Sequence, residues 1–210
     1  LTSGHSNVLI GDEAATNITT ARENVVIGKG AYANANTSEN FAVVVGYNAA
    51  NNVDGIDNVT AIGHSALSTM VAVDGNTAVG FEAGKVTTGA NNTYLGFKAG
   101  KGASGAEGGN TGVGSRALES VTTGGSNVVV GNQAGDTITD GGENVIVGDG
   151  AGQTTTSVAQ AVIVGRGAAQ NGNITTGANG TVAVGYKALE ALTSGGRNTA
   201  IGYEALSTAT

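Results

Sequence analysis

The sequence predicts an all-β protein, a parallel β-solenoid in which the chain winds through about twelve coils. The first observation is a repeat: a β-branched residue, a variable residue, an aliphatic residue and a glycine recur along the whole chain, as in Val8-Leu9-Ile10-Gly11. The second is the spacing of that glycine, which is usually 17 residues and never less than 16 or more than 20. The third is composition, with 37 glycines and no proline in 210 residues, which suits many short strands joined by tight turns. We therefore expect residues 1–210 to form a single solenoid domain.

The repeated glycine, here called the marker glycine, ends each predicted strand. Its twelve copies are Gly11, Gly28, Gly46, Gly63, Gly80, Gly96, Gly114, Gly131, Gly148, Gly165, Gly185 and Gly202. The residue three before it is always Val or Thr, and the residue one before it is always Val, Ile or Leu. Because side chains alternate along a strand, these first and third strand positions share a face, which we expect to be the coil interior. The residue three after it is always Ala, which predicts a narrow place in the coil. The glycine itself is expected to supply a positive φ or a close backbone approach.

Two further columns complete the repeat. An apolar residue about seven positions after the marker glycine predicts a second short strand in each coil; its clearest examples are Ile18, Val53, Met70, Val121, Ile138 and Leu192. Asn stands just before the first strand in eight copies, at Asn7, Asn24, Asn76, Asn92, Asn110, Asn127, Asn144 and Asn198. Stacked Asn side chains predict an amide ladder along the rod.

The middle strand position predicts self-association. Its residues are Leu9, Val26, Val44, Ala61, Ala78, Tyr94, Gly112, Val129, Ile146, Ile163, Ala183 and Ala200, and none is charged. If the first and third positions point inward, this position points outward, and a strand apolar on both faces is normally buried on both. We expect a homotrimer packed around a shared axis. The alternative is a single solenoid with a mildly apolar outer face.

Charge and composition exclude several classes of partner. The net charge is −7 and only nine Lys and Arg residues are present, which argues against binding the nucleic-acid backbone. There is no Cys, so disulfides and thiolate metal sites are excluded. No apolar run reaches the length of a membrane span, so we expect no membrane insertion of this segment. Residues 1–20 lack the pattern of a signal peptide. Leu1 is not a native start residue, which suggests a processed chain or a fragment, and we expect a fragment of a longer fibre.

The repeats resemble a known group of proteins. The units Asn76-Thr77-Ala78-Val79-Gly80 and Asn198-Thr199-Ala200-Ile201-Gly202 resemble the repeats of bacteriophage tail fibres and are similar to the head repeats of trimeric autotransporter adhesins of the YadA type. This resemblance implies a left-handed, trimeric parallel β-roll on a virion tail fibre or a bacterial cell surface. It implies an extracellular role in attachment to a host or cell-surface receptor. The 17-residue period is longer than that of the adhesin heads, which favours the fibre.

Aromatic residues follow the marker glycine in six coils, as Tyr47, His64, Phe81, Phe97, Tyr186 and Tyr203. Equivalent positions stack in a solenoid, so we expect ring ladders that stiffen the rod. The functional alternative is a surface that binds a cell-surface glycan, since sugars dock on ring faces.

No constellation of residues predicts catalysis. His5 and His64 do not have the spacing of a zinc site, and no Ser, His and Asp set is suggested by position. Residues 148–152, Gly-Asp-Gly-Ala-Gly, only partly match a calcium-binding β-roll turn. We therefore expect no enzyme activity, no cofactor and no metal site.

A threonine column gives the main rival function. About eight residues after the marker glycine stand Thr19, Thr88, Thr122, Thr139, Thr156, Thr193 and Thr210. A regular Thr column on a β-solenoid is typical of ice-binding proteins, although the uneven repeat lengths weaken that match. A third hypothesis is a structural spacer in an extracellular filament whose recognition tip lies elsewhere.

Overall fold

The structure, a computed structural model, describes residues 3–35, 40–53, 57–70, 74–102 and 108–209. In these segments, twelve three-residue strands form one sheet, and each strand pairs in parallel with the next strand along the chain. The strands are β1 (Val8–Ile10), β2 (Val25–Ile27), β3 (Val43–Val45), β4 (Thr60–Ile62), β5 (Thr77–Val79), β6 (Thr93–Leu95), β7 (Thr111–Val113), β8 (Val128–Val130), β9 (Val145–Val147), β10 (Val162–Val164), β11 (Val182–Val184) and β12 (Thr199–Ile201). This order confirms the predicted parallel solenoid and its period.

Every coil stacks on the next in the same register. Val8 pairs with Val25, and Val128 pairs with Val145, so each sequence column becomes a straight row along the rod. At a strand separation of about 4.8 Å, twelve strands span roughly 55 Å. The 20-residue spacing before Gly185 is absorbed outside the sheet, where a 3-10 turn (Thr176–Ala178) precedes β11.

The two faces of the strands are the reverse of those predicted. The middle position is buried, with Val26, Val44 and Val129 fully inaccessible, whereas the first and third positions are partly or largely exposed. The predicted alternation of side chains between two faces was right, but the prediction of which face is the coil interior was wrong. The coil interior is narrow, and the middle column supplies the small residues that fit it, four of them Ala and one Gly. The invariant Ala three positions after the marker glycine shares this interior and is fully buried from Ala31 to Ala188.

The predicted second strand is absent from the described residues, which contain one strand per coil. Its apolar residues are nevertheless buried: Ile18 is 2% exposed and Met70 is inaccessible. They enter the core from turns rather than from a strand. The return path of each coil bends at single residues with positive φ, for example Gln133 (φ 53°) and Leu118 (φ 55°).

One large side chain is accommodated by glycines around it. Tyr94 is fully buried in the middle column, where its neighbours are Ala78 and Gly112. A methyl group on Gly112 would lie 3.1 Å from the ring, and one on Gly100 would overlap it. The core is therefore packed by matching volumes between adjacent coils.

A left-handed position offers a first prediction. Ser126 has a φ of 59°, while Gly109 and Gly180 occupy the equivalent position in other coils with φ of 68° and 74°. Because glycine adopts this conformation without strain, Ser126→Gly should raise the free energy of unfolding by about 0.5–1 kcal/mol. Urea denaturation measures the change. The control is Thr123→Gly, at an exposed turn residue without positive φ, which should lower stability; equal losses in both variants would contradict the prediction.

Candidate interaction surface

The outward side of the sheet is a continuous uncharged surface. We call it the strand face: the side chains at the first and third positions of β1 to β12. All are Val, Thr, Ile or Leu, and exposure reaches 46% at Leu95, 56% at Ile10 and 69% at Ile201. Its two columns lie about 7 Å apart and run for roughly 55 Å. A stripe of about 400 Å² is within the size range of the largest apolar patch on a typical monomer, and patches of this size often mark interaction sites.

Charged side chains lie outside the strand face. Lys29 pairs with Asp12 at 3.0 Å, and Glu82 pairs with Lys85 at 2.7 Å and Lys101 at 3.3 Å. These residues belong to the turns that follow the strands. The solubilising groups of the exterior are thus separated from the sheet.

The first column of the strand face contains a run of four threonines. In β4 to β7 this column is Thr60, Thr77, Thr93 and Thr111, and their hydroxyls form no hydrogen bond with the described part of the chain. Threonines in the turns behave differently: Thr69 donates to the Lys85 carbonyl at 2.7 Å. The hydroxyls of the run are therefore available to an outside partner.

The predicted amide ladder is confirmed, and it is internal. Asn127 Oδ1 accepts from the backbone N–H of Asn144 at 3.1 Å and from its side-chain amide at 2.9 Å. Asn127 Nδ2 in turn donates to Asn110 Oδ1 at 3.0 Å and to the Gly141 carbonyl at 2.9 Å. Equivalent bonds between neighbouring copies make the ladder continuous from Asn76 to Asn144. Since these residues are buried, the ladder holds the coils together and offers nothing to a ligand.

The ring ladders are also confirmed. Ring centroids are 5.1 Å apart for Tyr47 and His64, 5.1 Å for His64 and Phe81, and 5.5 Å for Phe81 and Phe97. A second ladder joins Tyr186 and Tyr203 at 5.1 Å. Each inner ring has both faces against neighbouring rings, so mainly ring edges reach the solvent. A glycan could stack only on the outermost faces, and at one end Lys98 Nζ lies over Phe97 at 5.1 Å.

At the other copies of the position directly after the marker glycine, side chains in neighbouring coils also have complementary chemistry. Outside the ring ladders it contains the Asp12–Lys29 ion pair and a group in which Asp149 contacts Asn132 at 2.9 Å and Arg166 at 3.4 Å. Aromatic residues thus follow aromatic residues, and acidic residues adjoin basic or amide residues. This pairing could have been found in the sequence by comparing each coil with the next rather than with the consensus.

In the threonine column considered for ice binding, side-chain hydroxyls form hydrogen bonds with the next coil along the rod. Thr122 donates to the Thr139 carbonyl at 2.9 Å, and Thr139 donates to the Thr156 carbonyl at 3.3 Å. Thr156 donates to Asn173 Oδ1 at 3.3 Å. Thr210 lies outside the described residues. These three hydroxyls are used between coils and do not form a free array.

The described residues contain no cluster of three or more His, Asp or Glu side chains that could hold a metal ion. His5 bonds its neighbour Ser6 at 3.2 Å, and His64 lies within the ring ladder. Asp149, in the glycine-rich segment 148–152, is engaged with Asn132 and Arg166. In this part of the chain there is also no helix long and apolar enough to cross a membrane.

Two carboxyl groups have shifted pKa values. The hydrogen bond from Lys85, together with Lys101, lowers the pKa of Glu82, whereas burial raises the pKa of Asp136 although Arg116 lies 3.3 Å away. A lowered pKa in the folded state adds stability above the unfolded-state pKa, and this contribution is lost as the pH falls through the folded-state pKa. A pKa that is raised in the folded state, as for Asp136, instead lowers stability at pH values above the unfolded-state pKa.

Glu82→Gln therefore tests how this ion pair changes the free energy of unfolding as the pH is lowered. We expect a loss of a few tenths of a kcal/mol at pH 7, small because solvent screens the pair, and a smaller loss at pH 3, because the carboxyl is protonated to a greater extent at the lower pH. Thermal melts at the two pH values measure it. Replacing Lys85 and Lys101 together by Gln should remove the same pH dependence; an equal loss at both pH values in Glu82→Gln would refute the assignment.

No protein-family model, curated protein or solved structure matches this chain. The importance given to the strand face therefore rests on the exposure, composition and regularity of its own residues.

Proposed function

We propose that this chain is a structural segment of an extracellular homotrimeric fibre, of a virion tail or a bacterial cell surface, that displays a surface for attachment. The observation that carries the proposal is the strand face. Twenty-four positions in two straight columns carry no charge, although the net charge of the chain is −7. The resemblance of the repeats to tail-fibre and adhesin repeats supports the same role.

The shape of the strand face favours three copies around one axis. Apolar surface is removed from water at about 25 cal/mol per Å², so covering a stripe of this size on each chain stabilises the assembly substantially. Two narrow stripes packed face to face would leave both long sides of the contact open to water. Three stripes around an axis close on each other and leave no open side, as closed cyclic symmetry allows.

The mass of the protein in solution tests this proposal. Light scattering should give three times the chain mass of 20.3 kDa. Val128→Glu combined with Val145→Glu should give a folded monomer, because both side chains are about 40% exposed in the chain itself and a charge in the contact would be desolvated. The control is Thr123→Glu, at an exposed turn, which should stay trimeric. A monomeric parent protein would refute the trimer, and a dimer would refute the threefold arrangement.

Ice binding is the second candidate, and the strand face is the surface that supports it best. A regular, exposed and uncharged sheet with four successive Thr residues suits it better than the hydrogen-bonded column at Thr122 and Thr139. This function needs a free strand face, so it excludes the trimer. Thermal hysteresis by a monomer, lost on replacing Thr77 and Thr93 by Glu, would favour ice binding; no hysteresis would eliminate it.

Receptor attachment by this segment is separable from a spacer role. The ring ladder, whose end rings Tyr47 and Phe97 are 49% and 47% exposed, is an exposed apolar feature outside the strand face. If the end rings bind a cell-surface glycan, binding on a glycan array should be lost on Tyr47→Ser and Phe97→Ser. An array without signal would favour the spacer.

A further inference from the structure

The four-threonine run interrupts a face that is otherwise aliphatic except at Thr199 in β12. The first column is Val in β1 to β3 and again in β8 to β11, and it is Thr only in β4 to β7 and in β12. The third column is aliphatic throughout. Thr and Val have nearly the same shape, so the run changes hydrogen bonding rather than packing.

Burial of the strand face would make these hydroxyls costly unless they find partners. Their own chain supplies none within the described residues. In the proposed trimer the third column of a neighbour offers only aliphatic groups, whereas the first column offers hydroxyls at the same level. A hydroxyl both donates and accepts, so three hydroxyls around an axis can satisfy one another. The run therefore favours an arrangement in which the three first columns line the axis.

We infer that Thr60, Thr77, Thr93 and Thr111 fix the axial register of the three copies, and that their first columns meet at the axis. This inference rests on the proposed trimer. A shift of one coil would bring Thr60 or Thr111 against a Val of its neighbour, leaving a buried hydroxyl without a partner. A single buried polar position is known to select register in coiled coils in the same way.

The run also specifies direction. In an antiparallel pair with all twelve coils overlapped, β4 meets β9 and β5 meets β8, so Thr60 and Thr77 would face Val145 and Val128, and only Thr93 and Thr111 would face each other. An antiparallel pair could bring the run against itself only by leaving β11 and β12 uncovered. A parallel, in-register assembly matches the run and covers every coil.

Engineered cysteines can test this directly, because the chain has no Cys of its own. Val145→Cys places one thiol in the first column of β9, and Val147→Cys places one in the third column of the same strand. Oxidation should link Val145→Cys chains into covalent dimers within the trimer, and link Val147→Cys chains severalfold less, since a disulfide needs closely spaced Cβ atoms. A mixture of Val128→Cys and Val162→Cys chains reports slippage by two coils and should give no mixed dimer.

The four Thr residues are then replaced together by Val in each cysteine background. We expect the mass by light scattering to remain that of a trimer, the Val145→Cys link to fall severalfold, and the mixed dimer to appear. An unchanged link with no mixed dimer would overturn the register role of the run while leaving the trimer intact. Stronger linking at Val147→Cys than at Val145→Cys would overturn the placement of the first columns at the axis. A monomeric parent protein would overturn both proposals.

Discussion

Gly131→Ala is expected to lower the free energy of unfolding by about 3–5 kcal/mol, because the marker glycine meets two independent constraints. Its φ is +145°, a conformation that side chains rarely adopt. A methyl group there would also lie 2.6 Å from the Gly148 carbonyl carbon in the next coil, and closer still to its oxygen. The next coil could accommodate it only by moving away, which would break the strand pairing around it. Urea denaturation followed by circular dichroism measures the loss.

Gly202→Ala separates the two constraints. Gly202 has a similar φ of +134°, but the nearest atom to an added methyl group is the Ala205 Cβ, at 3.9 Å. Only the conformational cost should remain, about 1–2 kcal/mol. Equal losses of unfolding free energy in both variants would show that contact with the next coil does not add to the cost of a side chain at the marker glycine. The comparison also tests why glycine occupies this position in every coil.

The sequence was sufficient to predict the features that recur in successive coils. In-register stacking turns each sequence column into a spatial row, so the Asn column predicted the amide ladder and the six aromatic positions predicted the stacked rings. These predictions hold because neighbouring copies of one residue type interact favourably with each other. They depend on the period and not on which way a side chain points.

The direction of the strand side chains could not be predicted in the same way. Strand phase is normally read from polar residues on the solvent side, and here neither face of β1 to β12 carries a charge. Residue size was the informative feature: the middle column contains Ala and Gly in five coils, whereas the first and third columns contain neither. Small residues fit a narrow coil interior, and larger β-branched residues suit an exposed sheet face. Self-association is still expected, but through the side chains of the first and third columns.

The prediction of a second strand in each coil was wrong for a related reason. Ile18 and Met70 are buried, but one apolar residue per coil has no strand periodicity. The chain returns through turns bent at single left-handed residues, and several of these, such as Leu67 and Leu118, are not glycine. Coil stacking stabilises these conformations through bonds such as that from Leu67 N to the Ala83 carbonyl, at 3.0 Å. Local preference alone does not predict them.

Asn127→Ala is expected to lower the free energy of unfolding by about 2–4 kcal/mol, since it removes a buried junction between three coils. The substitution deletes the acceptor of two hydrogen bonds from Asn144 and the donor of bonds to Asn110 and Gly141. Asn144 is 1% exposed, so its backbone N–H would lose its partner where water has little access. Hydrogen exchange should show the amide of Asn144 losing protection more than amides three coils away, because a solenoid is stabilised mainly by contacts between neighbouring repeats.

Asn132→Ala is the matched control, in the same coil and with the same chemical change. Asn132 is exposed and donates to Asp149 at 2.9 Å on the surface, where water replaces a lost partner, so the loss should stay within about 0.5 kcal/mol. Similar losses in the two variants would mean that the buried ladder contributes no more than a surface bond. A much larger loss of stability in Asn127→Ala, with the loss of exchange protection centred on Asn144, would show that the internal amide row keeps the coils in register. The straight strand face depends on that register, and the proposed assembly depends on the strand face.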